Sequence, residues 1–237
     1  EWSNPFPEKA IASIDVIGNL VPTQYVVMAI SGGVIKSKGP RAAVVSEWQF
    51  GDFADGTIRN RIPGGGVLKA GSSAPALDGA NGLKFENGQS LEGETKAIPQ
   101  LAGLGKEPFS VRVSLCPLAR PGAHCGGLFQ AMQYGKRGFR LVLGSSMKLS
   151  ADVFTEAGSS VISSRTELEI GRSYAVELRF DGAYATLLVD GQTDTMKEMP
   201  LPAPYDGPIQ IGVAAGKDYY YNGTISSISI CKLPVGL

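Results

Sequence analysis

His124 and Cys125 are adjacent in PGAHCGG, and a thiol beside an imidazole is the start of a nucleophile–base pair. His124 is the sole histidine of the 237 residues, so a serine–histidine–acid triad would have to use it. No serine sits in an elbow motif, and His124 reads as a loop histidine beside a structural cysteine. Zinc asks for three or four closely spaced ligands, which one histidine and three scattered cysteines, Cys116, Cys125 and Cys231, do not supply. Glu167-Leu168-Glu169 places two carboxylates at alternate positions, where a strand would aim both at one face as nucleophile and acid for glycoside hydrolysis. Asp52 and Asp55 in GDFADG offer hard oxygen ligands in a loop, the chemistry of a structural calcium site. No paired-carboxylate, triad or metal-catalytic motif is recognisable, and the reading leans away from an enzyme.

Strands must carry these groups. In YAVELRFDGAYATLLVDG, Tyr174, Val176, Leu178 and Phe180 alternate with Ala175, Glu177 and Arg179. Alternation sends one set into a core and the other toward water. Asp181-Gly182 is a two-residue turn signal, and the next strand, Tyr184 to Val189, stops at Asp190-Gly191. Other strands are expected over Val44–Phe50, Gly82–Glu86, Phe109–Cys116, Gly126–Met132, Phe139–Leu143, Lys148–Thr155, Glu167–Ile170, Ile209–Ala214 and Thr224–Lys232. No stretch sustains a helical apolar period over several turns, so little helix is expected. Short strands punctuated by many of the 31 glycines and 15 prolines indicate an all-β antiparallel sandwich or barrel.

Lys+Arg and Asp+Glu are 22 each, which leaves no electrostatic footprint for a nucleic-acid backbone. No apolar run is long enough for a membrane-spanning helix. EWSNPFPEKA has neither the basic start nor the apolar core of a signal peptide, so any export signal has been removed or the chain is a piece of something longer. Residues 1–43 hold two strand-like runs, Ala12 to Ile17 and Gln24 to Ile30, and a connector rich in glycine, lysine and proline; residues 44–237 hold the long strand series. Cys116 ends one strand and Cys125 begins the next, so a cross-strand disulfide is expected in an oxidising compartment, with two free thiols as the alternative. Cys231 reads as a small buried hydrophobe.

The joint order of EWQFGDFADGTIRNR, LDGANGLKFENGQSLEG, PFSVRVSLCPL, GGLFQAM, FRLVL, LEIGRSYAVELRFDGAYATLLVDG and IQIGVAAGKDYYYNGTISSISI resembles the concanavalin A-like lectin/glucanase superfamily in its laminin-G-like branch. The resemblance covers roughly residues 44–233. It implies a jelly-roll sandwich of two curved antiparallel sheets. The glucanase branch carries E-x-D-x-x-E on one strand. Here only Glu167 and Glu169 approach it, at a place the laminin-G-like order makes an outer connecting strand, so they read as solvated. SRTELEI resembles a strand of jelly-roll alginate lyases, but their Gln-x-His strand is missing and lyase activity is not supported. Relatives often add an aspartate after the closing motif; Ser226 stands there, which removes one ligand from the calcium set of Asp52 and Asp55. EWSNPFPEKAIASIDVIGNLVPTQYVVMAI is similar to the closing strands of a bacterial β-sandwich carbohydrate-associated domain, which implies the tail of a preceding domain; the alternative is extra N-terminal strands of the one sandwich.

Parity also picks a ligand surface. Arg112, Arg140 and Arg179 point away from the apolar set, with Gln130 and Gln133 on a neighbouring strand and Tyr134, Tyr219 and Tyr220 in expected loops. Planar donors and tyrosine rings suit sugar hydroxyls and sugar faces. The expected function is a non-catalytic, lectin-like carbohydrate-binding module of an exported, multidomain bacterial protein, located outside the cell, on its surface or in the periplasm. Its partner would be a polysaccharide or glycoconjugate. The alternative is a structural or protein-interaction sandwich without a sugar ligand, and a polysaccharide-active hydrolase or lyase comes third.

Overall fold

The computed structural model describes residues 42–79, 82–86, 88–95, 104–122, 124–214 and 219–234. All belong to the unit Arg41–Leu237, and the two strand-like runs expected within residues 1–43 lie outside the described residues. The strands are β1 (Ala43–Gln49), β2 (Thr57–Arg59), β3 (Val67–Ala70), β4 (Ala76–Leu77), β5 (Leu83–Phe85), β6 (Leu91–Glu94), β7 (Phe109–Pro117), β8 (Cys125–Gln133) and β9 (Arg137–Gly144). They continue with β10 (Lys148–Thr155), β11 (Gly158–Glu167), β12 (Tyr174–Phe180), β13 (Tyr184–Val189), β14 (Gln192–Glu198), β15 (Pro208–Ile211), β16 (Val213–Ala214), β17 (Tyr219–Tyr220) and β18 (Gly223–Lys232).

Two large antiparallel sheets form a sandwich. The first runs β14-β13-β12-β7-β18-β5-β4, with β1 on the free edge of β18; the second runs β11-β10-β9-β8-β15-β6-β3-β2. The all-β antiparallel class read from the alternation is therefore observed, and of sandwich or barrel it is the two-sheet sandwich that the resemblance implied. Inward residues Phe109, Val111, Val113 and Leu115 of β7 and Tyr174, Val176, Leu178 and Phe180 of β12 are all buried. The sheets meet through phenylalanines: Phe109 of the first packs on Phe139 of the second at 5.4 Å, and Phe139 on Phe180 at 5.5 Å. Ring pairs at such separations add to the burial energy of each side chain.

The sandwich is also tied at one edge. Asp194 of β14 accepts the Arg165 N–H at 2.6 Å and the Thr166 N–H at 3.0 Å, both from β11 of the other sheet. Its own backbone turn begins at Asp190-Gly191, where both residues have positive φ (50° and 79°), the conformation a two-residue hairpin requires.

Several expectations are corrected. The Cys116–Cys125 disulfide is not formed, and Cys116, Cys125 and Cys231 are free thiols. The physical reason is topological: β7 and β8 are consecutive in sequence but lie in different sheets, with Cys116 opposite Thr224 and Cys125 opposite Gly144. The strand expected over Glu167–Ile170 lies earlier, because Leu168 is buried and the Glu169 N–H donates to the Tyr174 hydroxyl. The turn after β12 is one residue later than read: the Asp181 N–H donates to the Tyr184 carbonyl at 3.2 Å, which leaves Gly182 and Ala183 as the two loop residues, and the Asp181 carboxylate accepts the N–H groups of Ala183 and Tyr184 at 2.8 and 2.7 Å. The run Ile209–Ala214 is split at Gly212, whose φ is 82°.

Candidate functional site

Register builds a continuous row of outward side chains across the second sheet. Val161 pairs with Asp152, Asp152 with Arg140, Arg140 with Gln130 and Gln130 with Gln210. Gln210 pairs with Glu92, Glu92 with Lys69 and Lys69 with Thr57. Each lies beside a buried inward residue, among them Ala151, Leu141, Phe129, Ile211 and Leu91, so the pleat turns the row away from the core, although Gln130 at its centre is only 7% exposed.

The row is bonded internally. Arg140 Nε donates to Asp152 Oδ2 at 2.5 Å, and the two side chains are only 13% and 21% exposed. Gln130 Nε2 donates to Gln210 Oε1 at 2.8 Å, and Gln210 Nε2 to Glu92 Oε1 at 3.3 Å. Arg140 Nη1 is shielded from solvent and has no hydrogen-bond partner.

An aromatic platform stands beside the row. Tyr134, in the β8–β9 turn, is 69% exposed. Its ring meets Phe154 edge-on at 5.5 Å, and the Arg140 guanidinium lies over it at 5.6 Å. Phe154 is held in turn by the segment after β14: the Ala203 N–H donates to the Phe154 carbonyl at 2.8 Å, and the Gly138 N–H to the Ala203 carbonyl at 3.0 Å. That segment also borders a cleft of about 460 Å³ whose other wall includes Thr155 and Glu156.

The residues singled out from sequence divide between the two outer faces. Arg140, Gln130, Gln133 and Tyr134 come together on the second sheet; there Gln133 accepts from Arg137 Nε at 3.2 Å. Arg112 and Arg179 lie on the first sheet, on the opposite side of the sandwich, which corrects the reading of a single arginine-bearing surface. Both donate to Glu177: Arg112 Nε at 2.9 Å to Oε2, and Arg179 Nε and Nη2 at 3.2 and 3.1 Å to Oε1. Tyr219 and Tyr220 are not loop residues but form β17, half-buried and paired with β16. Tyr219 meets His124 edge-on at 5.4 Å. Asp152, Gln210 and Glu92 were not singled out from sequence, although Asp152 alternates with Leu149, Ala151 and Val153 in a strand whose bounds were read correctly.

Asp52 is occupied by a neighbour. Arg61 Nε and Nη2 donate to its two oxygens at 2.9 and 3.1 Å, and this guanidinium holds the carboxyl below its ordinary value against a weaker upward pull of burial. Asp55 sits in a tight turn with φ 50°. Among the described residues no group of three or more His, Cys, Asp or Glu side chains is placed to hold a metal ion. Burial pushes the Cys125 thiol up, with Arg140 pulling it down and Asp152 up, the direction opposite to that which activates a thiol. Glu167 faces Lys148 at 3.8 Å and Glu169 faces Arg172 at 3.3 Å, each in an exposed ion pair.

No family model and no curated protein matches the sequence. Solved structures do resemble it. Domain 4 of an extracellular arabinanase from Geobacillus stearothermophilus, determined in complex with arabinotriose, superposes with a TM-score of 0.60 at 13% identity, covering 83% of this chain and 96% of that one. The botulinum neurotoxin serotype G binding domain gives 0.62 at 11% identity, covering 82% and 48%. A Trypanosoma rangeli sialidase in complex with sialic acid gives 0.57 at 15% identity, covering 81% and 31%. This chain therefore spans nearly all of the arabinanase domain, about half of the neurotoxin chain and about a third of the sialidase chain. At these identities the likeness shows a shared β-sandwich fold.

Proposed function

We propose that this protein is a non-catalytic carbohydrate-binding module that takes a polysaccharide or glycoconjugate on the outer face of its second sheet. The observation that carries the reading is an exposed Tyr134 ring beside a row of planar groups, Asp152, Arg140, Gln130 and Gln210, with the Arg140 guanidinium over the ring. A tyrosine ring stacks on the apolar face of a sugar, while guanidinium and amide groups bond its hydroxyls from a fixed plane. The arabinanase domain with arabinotriose, which this chain matches over nearly its whole length, supports a sugar ligand. An exported location, outside the cell, on its surface or in the periplasm, goes with that reading because such polymers are met there, and cell fractionation tests it.

A glycan array followed by isothermal titration tests the binding. We expect at least one polysaccharide to bind, and Tyr134→Ala to weaken it by about tenfold, the loss of one stacking contact. Binding to no glycan of the array would remove the reading.

A further inference from the structure

We infer that the cleft beside the Tyr134 platform is a second subsite, so that the ligand is a glycan chain of several units rather than a single sugar; the inference rests on the carbohydrate-binding reading above. The cleft, of about 460 Å³, lies between the β10–β11 turn, Gly182 of the β12–β13 turn and the segment Pro200–Pro204. That volume is within the range of clefts that hold small molecules. The cleft adjoins the ring. Phe154, which Tyr134 meets edge-on at 5.5 Å, is followed directly by the lining residues Thr155, Glu156 and Ala157. Ala203, another lining residue, donates its N–H to the Phe154 carbonyl at 2.8 Å.

The proline wall is fixed before a ligand arrives. Pro200, Pro202 and Pro204 each have a locked φ. At one end the Met199 N–H donates to the Ala183 carbonyl at 2.8 Å. At the other, Tyr205 is 8% exposed and its hydroxyl donates to the Pro208 carbonyl at 3.1 Å. Between them Leu201 packs against the core, and Ala203 is pinned to β9 as well as β10 by the Gly138 N–H at 3.0 Å. A wall held in this way loses little freedom on binding.

The polar groups of the lining decide what it can hold. Proline carries a carbonyl but no N–H, and three lining residues are prolines. The Ala203 N–H is already given to Phe154, the Ala157 N–H to Thr155 Oγ1 at 3.2 Å, and the Thr155 hydroxyl to the Gly158 carbonyl at 2.9 Å. Among the described residues the carbonyls of Pro200, Leu201 and Pro204 accept no hydrogen bond, and the exposed Glu156 carboxylate has neither hydrogen bond nor ion pair. The lining is therefore rich in acceptors, and its ligand must bring donors. Sugar hydroxyls do so, on a chain that stacks one unit on Tyr134 and continues past Phe154.

The test is isothermal titration of wild type and variants with arabino-, xylo- and cello-oligosaccharides of two and five units. We expect the pentamer of at least one series to bind at least about tenfold more tightly than its dimer. Ala157→Trp, at an exposed turn position, sets a bulky ring at the cleft and should abolish that gain while the dimer stays within about twofold of wild type. Glu156→Ala should weaken the pentamer by about threefold and leave the dimer alone. Tyr134→Ala should weaken both lengths. A pentamer that binds no more tightly than the dimer, or a gain that survives in a folded Ala157→Trp, overturns the second subsite while leaving the Tyr134 face as the binding site. Failure of every series, and of every glycan of the array, to bind overturns this inference together with the carbohydrate-binding reading.

Discussion

Arg140 and Asp152 stand opposite each other on neighbouring strands, and their side chains close to 2.5 Å with little exposure on either. Removing the carboxylate strands a shielded guanidinium, and that penalty exceeds the value of the pair itself. We expect Asp152→Ala to cost about 2 kcal/mol in urea unfolding, below the range for fully buried pairs because both groups keep some solvent contact. Stability equal to wild type would mean that the pair contributes nothing.

The Asp194 clamp between β14 and β11 predicts a pH dependence. Burial pulls this carboxyl up, but hydrogen bonds from Thr166, Arg165 and Thr195 hold it below its ordinary value. A carboxyl that is more acidic when folded adds stability above its unfolded value, near pH 3.9, and loses it as pH falls through the folded value. Wild type should therefore lose stability between about pH 5 and pH 2 more steeply than Asp194→Asn, whose amide does not titrate there. Parallel unfolding curves across that range would contradict the clamp.

Gly127 of β8 has the backbone of β16 pressed against it, so that an added Cβ would stand 2.1 Å from the Val213 carbonyl carbon. Gly127→Ala should cost about 2–3 kcal/mol by forcing the β16–β17 hairpin away. Gly122→Ala, in an open loop with nothing within 4 Å, is the control and should be near neutral in the same thermal scan.

Thiol titration of the denatured protein without reductant should find all three cysteines reactive, since none is paired. One reactive thiol in place of three would restore the Cys116–Cys125 bridge. In the native state Cys231, 1% exposed and with its thiol pushed up by burial, should react more slowly than Cys116.

Much of the sandwich could be read from alternation alone, because strands such as Lys148–Thr155 and Tyr174–Phe180 bury one face and wet the other. The edges were harder. β11 and β14 are rich in serine, threonine and charge and bury few apolar residues, so period carries little signal there. A clue to β14 did exist: Asp190-Gly191 is a hairpin turn, and a hairpin turn implies a second strand. Parity placed Arg112, Arg140 and Arg179 outward correctly. It could not say that Arg140 belongs to a different sheet, since side-chain direction is local whereas strand order depends on long-range pairing. The row from Asp152 to Glu92 was invisible for the same reason: its members lie far apart in sequence, and the register alone brings them into line.

The most direct test compares Tyr134→Ala with Arg112→Ala by isothermal titration against whichever polysaccharide binds wild type. The two residues lie on opposite faces, so the comparison locates the site. The account predicts about tenfold weaker binding for Tyr134→Ala and unchanged binding for Arg112→Ala. Loss of binding on Arg112→Ala with Tyr134→Ala unaffected would contradict it.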